Sequence, residues 1–323
     1  LERLLINIRS NLNWAKIERF LGLKAFSKDD EAQFRLWTGL KVAIIPLAVL
    51  SILFVFLWII LRMNLAFFHA NGFPNYVELT DAYYQFLFST FADVGPSIAI
   101  LTLILWIIGL YMAQIILRPF RLIGDYCESN TNGIKADYDP DFFTDLKLLS
   151  TFSEYFFNII ENSTKNKSLE KYDIPLKYSK IRTPVFESNF FLQFFMMSAI
   201  ISGIVGVIVY VIVVDVHQEL VKLSLDYLKH NKIVSYYFSQ QESILFPLII
   251  GSLIVNSTLY IILAINLYSK VSAPAFGIFA TMRAFIRGDH DARVHLIGFS
   301  YVRNSCRKFN KYLDKIVREI TQI

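Results

Sequence analysis

Four stretches of this 323-residue chain are too long and too apolar for the core of an ordinary soluble domain. They cover residues 40–61, 97–117, 190–214 and 244–267. Past Lys41 at the mouth of the first, none holds a Lys, Arg, Asp or Glu in its interior. About 20 residues of helix cross the ~30 Å hydrocarbon layer of a bilayer. No water is present there to take backbone hydrogen bonds, so each run must close its own as a helix. A composition 54% hydrophobic and 15% aromatic agrees with a membrane class. The fold expected is an all-α membrane protein with four transmembrane helices.

The basic residues orient it. Residues 1–41 hold eight Lys and Arg, 62–96 one, 118–189 ten, 215–243 three and 269–323 ten. Basic and poor segments alternate, which places both termini and the central loop in the cytoplasm of a multi-pass inner-membrane protein. The net charge of +5 then reflects topology and attraction to anionic membrane lipid. The positives are dispersed, which argues against nucleic acid as a partner. Neither loop on the far side, 62–96 or 215–243, is long enough for a folded sensor domain.

Read in order, residues 1–35 form a cytoplasmic amphipathic helix with Trp14 at the interface, and Ser27 with Asp30 resembles a cap. Residues 36–117 are the first transmembrane pair with its short periplasmic segment. Residues 118–165 form a cytoplasmic helical unit, and 166–189 a polar linker. Residues 190–268 are the second transmembrane pair, with Gly203 and Gly206 as points of close helix approach. Residues 269–323 form a second cytoplasmic unit. The landmarks repeat: Pro96 with Pro247, Pro119 with Pro274, Gly133 with Gly288 and Phe152 with Phe309 stand 151, 155, 155 and 157 residues apart. Each two-span pair therefore reads as one copy of a duplicated unit.

The second cytoplasmic unit is a Pro-initiated helix with Phe276, Phe279, Met282 and Ile286 at helical spacing, a glycine stop at Gly288, a connector carrying Val294 and Leu296, and a second helix carrying Val302, Cys306 and Phe309. Phe309, Leu313, Ile316, Ile320 and Ile323 then follow a four-three heptad spacing. This order resembles a HAMP domain, the helix–connector–helix relay of bacterial membrane receptors. The place where that family carries an Asp-Glu pair reads Leu296-Ile297-Gly298-Phe299-Ser300, with no Glu. The first copy matches less closely, with the connector 134–140 and a second helix from Asp141. The resemblance implies two HAMP-like hairpins joined as a pseudo-dimeric four-helix bundle. Pro119, Pro274, Met282, Gly288, Val294, Leu296 and Phe309 would be its packing and hinge residues, and Leu313, Ile316, Ile320 and Ile323 its exit heptad.

Signs of chemistry are sparse. The connector places His290 and His295 near Asp289 and Asp291, a solvated arrangement rather than a metal site. His217, beside Asp215 and Glu219, reads as an interfacial polar cap. Cys127 and Cys306 belong to no metal or redox motif. There is no glycine-rich phosphate loop. No catalytic, cofactor or metal residue is assigned, and the residues present do not read as an enzyme. Thr102, Gln114, Asn256, Ser257, Thr258 and Asn266 are the polar groups of the spans, suited to interhelical hydrogen bonds. The expected function is a membrane signalling or regulatory protein that relays a conformational change through HAMP-like helices, to another membrane protein, a self-partner or a downstream domain. The alternatives are a structural subunit of a multiprotein envelope complex, or the membrane anchor of an enzyme, for example a cyclase, whose catalytic domain lies beyond Ile323. A transporter is the weakest reading, for the spans hold no ion ligand.

The topology is directly testable. In intact cells, a cysteine placed at Asp226 should react with a membrane-impermeant maleimide, and one at Lys165 only after permeabilisation. The reverse pattern would invert the orientation.

Overall fold

The computed structural model describes residues 29–73, 75–134, 136–140, 146–166, 168, 171–228 and 232–321. The expected helix before Asp29, the Ser27 cap, the helix start at Asp141 and the last heptad position, Ile323, lie outside them. Every regular element among the described residues is helical. They are α1 (Asp30–Ala70), α2 (Tyr76–Thr131), α3 (Lys147–Asn166), a single turn α4 (Leu176–Ser179), α5 (Ser188–Tyr227), α6 (Lys232–Ile286) and α7 (Arg303–Thr321), the last preceded by a 3-10 turn at Ser300–Val302. Four of these, α1, α2, α5 and α6, are long and apolar enough to cross a membrane.

The helices run through places where breaks were expected. Gly95-Pro96 and Arg118-Pro119 lie inside α2, and Pro247 and Pro274 inside α6. The first helices of the two cytoplasmic units are therefore continuations of α2 and α6 rather than separate elements. At 1.5 Å per residue, α2 is about 84 Å long, well over twice the hydrocarbon thickness. A proline removes one intrahelical bond and crowds one carbonyl, a loss that neighbouring groups in a packed helix can offset. Pro46 in α1 displays the compensation. It has no N–H to give to the Val42 carbonyl one turn back, and the buried Tyr260 hydroxyl of α6 donates to that oxygen at 3.0 Å.

The chain divides into two compact units. One holds Gly39–Tyr111 and Phe191–Tyr268, and with them the apolar stretches of the four long helices. Ile52, Ile59, Ile100, Ile107, Ile204, Val211, Ile254 and Ile262 stay exposed there, as suits side chains that meet lipid. α1 and α2 approach closely: a Cβ on Gly109 would lie 2.7 Å from the Gly39 Cα. Gly203 has open space around it, so it is not an approach point, and Gly206 meets only the Leu253 side chain at 3.1 Å. Lone glycines facing each other across two helices leave no local motif, which is why Gly39 and Gly109 escape notice in the sequence. Between α5 and α6, Asn256 donates to the Ser202 hydroxyl at 3.0 Å, and Ser202 pairs with Ser257 at 3.0 Å.

Where the same helices approach their hairpin turns, the unit carries a second core. Leu61 with Val216, Leu65 with Leu220, Leu79 with Val234 and Tyr83 with Phe238 are all buried there. Each pair stands 155 residues apart, so the periodicity of the landmarks extends to burial. Pro96 and Pro247, 151 apart, fall one turn out of that register. A polar network threads this core. The Asn64 carbonyl accepts from Gln241 at 2.7 Å and Tyr237 at 3.0 Å, and the Tyr83 hydroxyl pairs with Ser224. Gly72, at φ 68, ends α1 with the paired bonds of a left-handed cap: its N–H reaches the His69 carbonyl and that of Phe73 the Phe68 carbonyl.

Two substitutions separate these contacts. Gly109→Leu overpacks the α1–α2 contact and should cost about 1–3 kcal/mol. Tyr260→Phe leaves the Val42 carbonyl bare and should cost about 1–3 kcal/mol. Both are read as a lowered unfolding temperature in detergent, with Gly203→Ala as the silent control.

Candidate functional site

The second unit holds the described residues up to Thr38, with Met112–Phe190 and the chain from Ser269 onward. It contains both candidate helix–connector–helix segments. Their first helices end in the same way. Gly133 has φ 79 and Gly288 φ 98, a conformation that costs side-chain-bearing residues energy. The Gly133 N–H bonds the Asn130 carbonyl and the Ile134 N–H that of Ser129. The Gly288 N–H bonds the Phe285 carbonyl and the Asp289 N–H that of Ala284. Both are Schellman caps.

The connector after Gly288 is pinned from both sides. Asn310 of α7 presents its side-chain amide to Val294 as a strand neighbour would: it accepts the Val294 N–H at 2.9 Å and donates to the Val294 carbonyl at 3.0 Å. Arg293 reaches Asp314 with two nitrogens, at 2.9 and 2.7 Å. Leu296 lies against Gly277, where an added Cβ would stand 2.6 Å from its Cδ2. The far end of the connector meets the start of α1. Tyr301 stacks on Phe34 at 4.3 Å and donates to the Lys270 carbonyl at 2.7 Å, while Arg303 pairs with Asp30. Asp29 caps that helix by accepting the N–H groups of Glu31 and Ala32.

Segments 118–166 and 274–321 meet through aromatic and small residues. Phe152 packs 4.6 Å from Phe279, and Phe156 5.9 Å from Phe309. Gly124 lies against Ser305, 3.2 Å from its Cβ to where its own would be. Lys308 sits between Asp125 at 2.9 Å and Glu128 at 2.6 Å, and Lys315 donates to the Asn130 carbonyl near the end of α2. Burial again pairs by number. Ile123 with Ile278 and Cys127 with Met282 are 155 apart in the first helices, and Phe152 with Phe309 and Phe156 with Leu313 are 157 apart in the second.

The residues singled out in the sequence are placed as follows. Pro119 and Pro274 are buried inside continuous helices, so neither marks a helix mouth. Met282 is fully buried, and its sulfur accepts from Ser153 at 3.6 Å. Val294, Phe309, Leu313 and Ile316 are buried, and Leu296 and Ile320 half-buried. Gly288 lies under the Lys171 side chain, 2.7 Å from where a Cβ would be. Asn310 and Glu187 escaped the sequence reading, because a single amide or carboxylate carries no spacing signal.

The segment 171–187 is a structural part of this unit rather than a free linker. The Tyr172 N–H bonds the Ile286 carbonyl, and Arg283 donates to the Tyr178 and Ile181 carbonyls. The Glu187 carboxylate caps α3 by accepting the N–H groups of Lys147 at 2.6 Å and Leu148 at 3.0 Å. Burial raises its pKa, against the lowering effect of those N–H groups.

Among the described residues no three His, Cys, Asp or Glu cluster as metal ligands. Burial pushes the Cys306 thiol up to about 12, away from the reactive thiolate form. His290 stands 5.2 Å from Phe285 and His295 is exposed. Protein-family models, curated proteins and solved structures give no match to the chain.

Asn310→Ala strands both polar groups of Val294 and should cost about 1–3 kcal/mol. Asn310→Asp, which keeps the acceptor alone, should cost less; thermal unfolding checks the order. In a Cys127→Ala, Cys306→Ala background, Gly124→Cys with Ser305→Cys should form a disulfide within one chain under mild oxidant, because the Cβ separation is close to disulfide range. An inter-chain dimer on a non-reducing gel would show that this contact belongs to two molecules.

Proposed function

We propose that this is a multi-pass inner-membrane protein of signalling or regulatory type. In this reading the segments 118–166 and 274–321 act as two HAMP-like hairpins forming one single-chain pseudo-dimeric bundle on the cytoplasmic side. The carrying observation is the contact between those segments: Gly124 on Ser305, Lys308 between Asp125 and Glu128, and Phe152 on Phe279. The paired left-handed glycines and the 155-residue recurrence of burial support it further. Because α2 and α6 run unbroken from their apolar stretches to Gly133 and Gly288, the covalent path from a span to the bundle is helical throughout, and in this reading it carries a small rotation or slide of the span. A bundle with two packings close in energy would turn that motion into a switch, and α7 would hand it on. The missing Glu has a substitute in function: Asn310 and the Arg293–Asp314 pair hold the connector to the second helix.

A second reading, a structural subunit of an envelope complex, is favoured by the hairpin ends. The described residues of 62–96 and 215–243 contribute a small packed core built with the ends of the spanning helices.

The two readings differ in dynamics. Spin labels at the exposed Asn158 and Arg307, in the same cysteine-free background, report the α3–α7 distance in nanodiscs. The relay predicts two populations whose ratio changes between thin and thick bilayers. One population, unchanged across bilayers, overturns the relay and leaves the subunit reading.

A further inference from the structure

A groove of about 530 Å³ opens in the second unit between the end of α2, the connector 136–140, α3 and α7. That is ample for a small ligand or a few side chains. One wall is aromatic, made by Tyr126, Tyr138, Phe157 and Tyr312. Tyr126 stands 4.2 Å from Phe157, and Tyr138 5.0 Å from it. Phe157 and Tyr312 are buried behind Tyr126 and Tyr138, which are half-exposed to the groove. The rim is acidic. Glu161 pairs with Lys165 at 3.0 Å and Glu319 with Lys315 at 3.4 Å, so those four charges cancel. Asp137 and Glu154 are exposed and form no ion pair among the described residues, which leaves the groove net negative.

This combination selects its occupant. The face of an aromatic ring attracts a cation, and unpaired carboxylates add to that attraction. An anionic lipid headgroup or a phosphate is repelled. Among the described residues a metal ion finds no cluster of three ligating side chains. Among biological cations the guanidinium group fits both features at once: it is planar and stacks on aromatic rings, and it forms paired bonds to carboxylates. Its methylene stem suits an apolar wall. We propose that this groove receives an arginine-bearing segment of a protein partner, its guanidinium stacked on the aromatic wall and paired with Asp137 and Glu154. The groove is lined by α2 and α3 from one half of the unit and α7 from the other, so an occupant grips both halves. The inference does not depend on whether the bundle switches.

The test uses the whole protein in zwitterionic nanodiscs with a labelled hexa-arginine peptide, followed by fluorescence anisotropy. Saturable binding that weakens with salt is expected. Asp137→Lys with Glu154→Lys should weaken it by about tenfold or more, the weight of two charge contacts at a surface. Tyr138→Ala should weaken it by about threefold. The control Asp289→Lys with Asp291→Lys, reversing exposed charges on the other connector, should leave it unchanged. Equal loss in the control, no loss in the groove variants, or equal binding of an uncharged peptide would each overturn the proposal. In cells, a photo-cross-linking residue at Asn158 identifies the occupant. A product mapped to an arginine-bearing segment of another protein, and lost on reversal of Asp137 and Glu154, supports it. A product on phospholipid or on this chain's own residues 1–28, or no product, overturns it.

Discussion

A backbone polar group buried in hydrocarbon must find a partner, and much of this protein follows from that requirement. It makes the four apolar stretches helices, and it explains why they stay helices through prolines that would end one in water. The Val42 carbonyl, orphaned by Pro46, is taken by the Tyr260 hydroxyl from a helix more than 200 residues away in sequence. Side chains pair between α5 and α6 as well, where Asn256 donates to the Ser202 hydroxyl and Ser202 pairs with Ser257. Each such pair fixes the rotation of one helix against another, because a turn of either would strand a polar group.

Long unbroken helices have a consequence for the second unit. Its first helices are the continuations of α2 and α6, so their end points are set by where those helices are capped. Gly133 and Gly288 supply the stops with one geometry, and the connector after Gly288 is held by Asn310, Arg293 and Asp314 rather than by apolar contact alone. Hydrogen bonds to backbone groups of a connector give it a defined register, which apolar packing by itself leaves looser. This is the physical basis on which a relay function is proposed, since a connector free to slide could not carry a rotation from one helix to the next.

The recurrence of buried positions at intervals of 155 and 157 residues ties the two halves together beyond the few identities in the sequence. Cys127 and Met282, or Tyr83 and Phe238, differ in identity but share burial. What is repeated is the pattern of burial, which tolerates change of residue as long as volume and polarity suit the site. Pairing by identity therefore misled at Pro96 and Pro247, which lie one turn out of register. A proline within a packed span is fixed by local compensation, not by place in the repeat.

The sequence by itself determined the class and the number of crossing helices, since these follow from length, polarity and the cost of bare backbone groups. It also located the glycine stops, because only a few residue types accept a positive φ. The tertiary structure decided the rest. It showed that α2 and α6 run through their prolines, that Gly39 and Gly109 rather than Gly203 permit close approach, and that residues 171–187 pack as part of a unit. It also brought Asn310 to Val294 and Glu187 to the start of α3. These outcomes depend on which distant groups meet, and a single Asn, Glu or Gly carries no periodic signal that would announce its partner. Hydrophobic spacing is a local property and can be read along the chain; satisfaction of individual polar groups is a property of the packed whole.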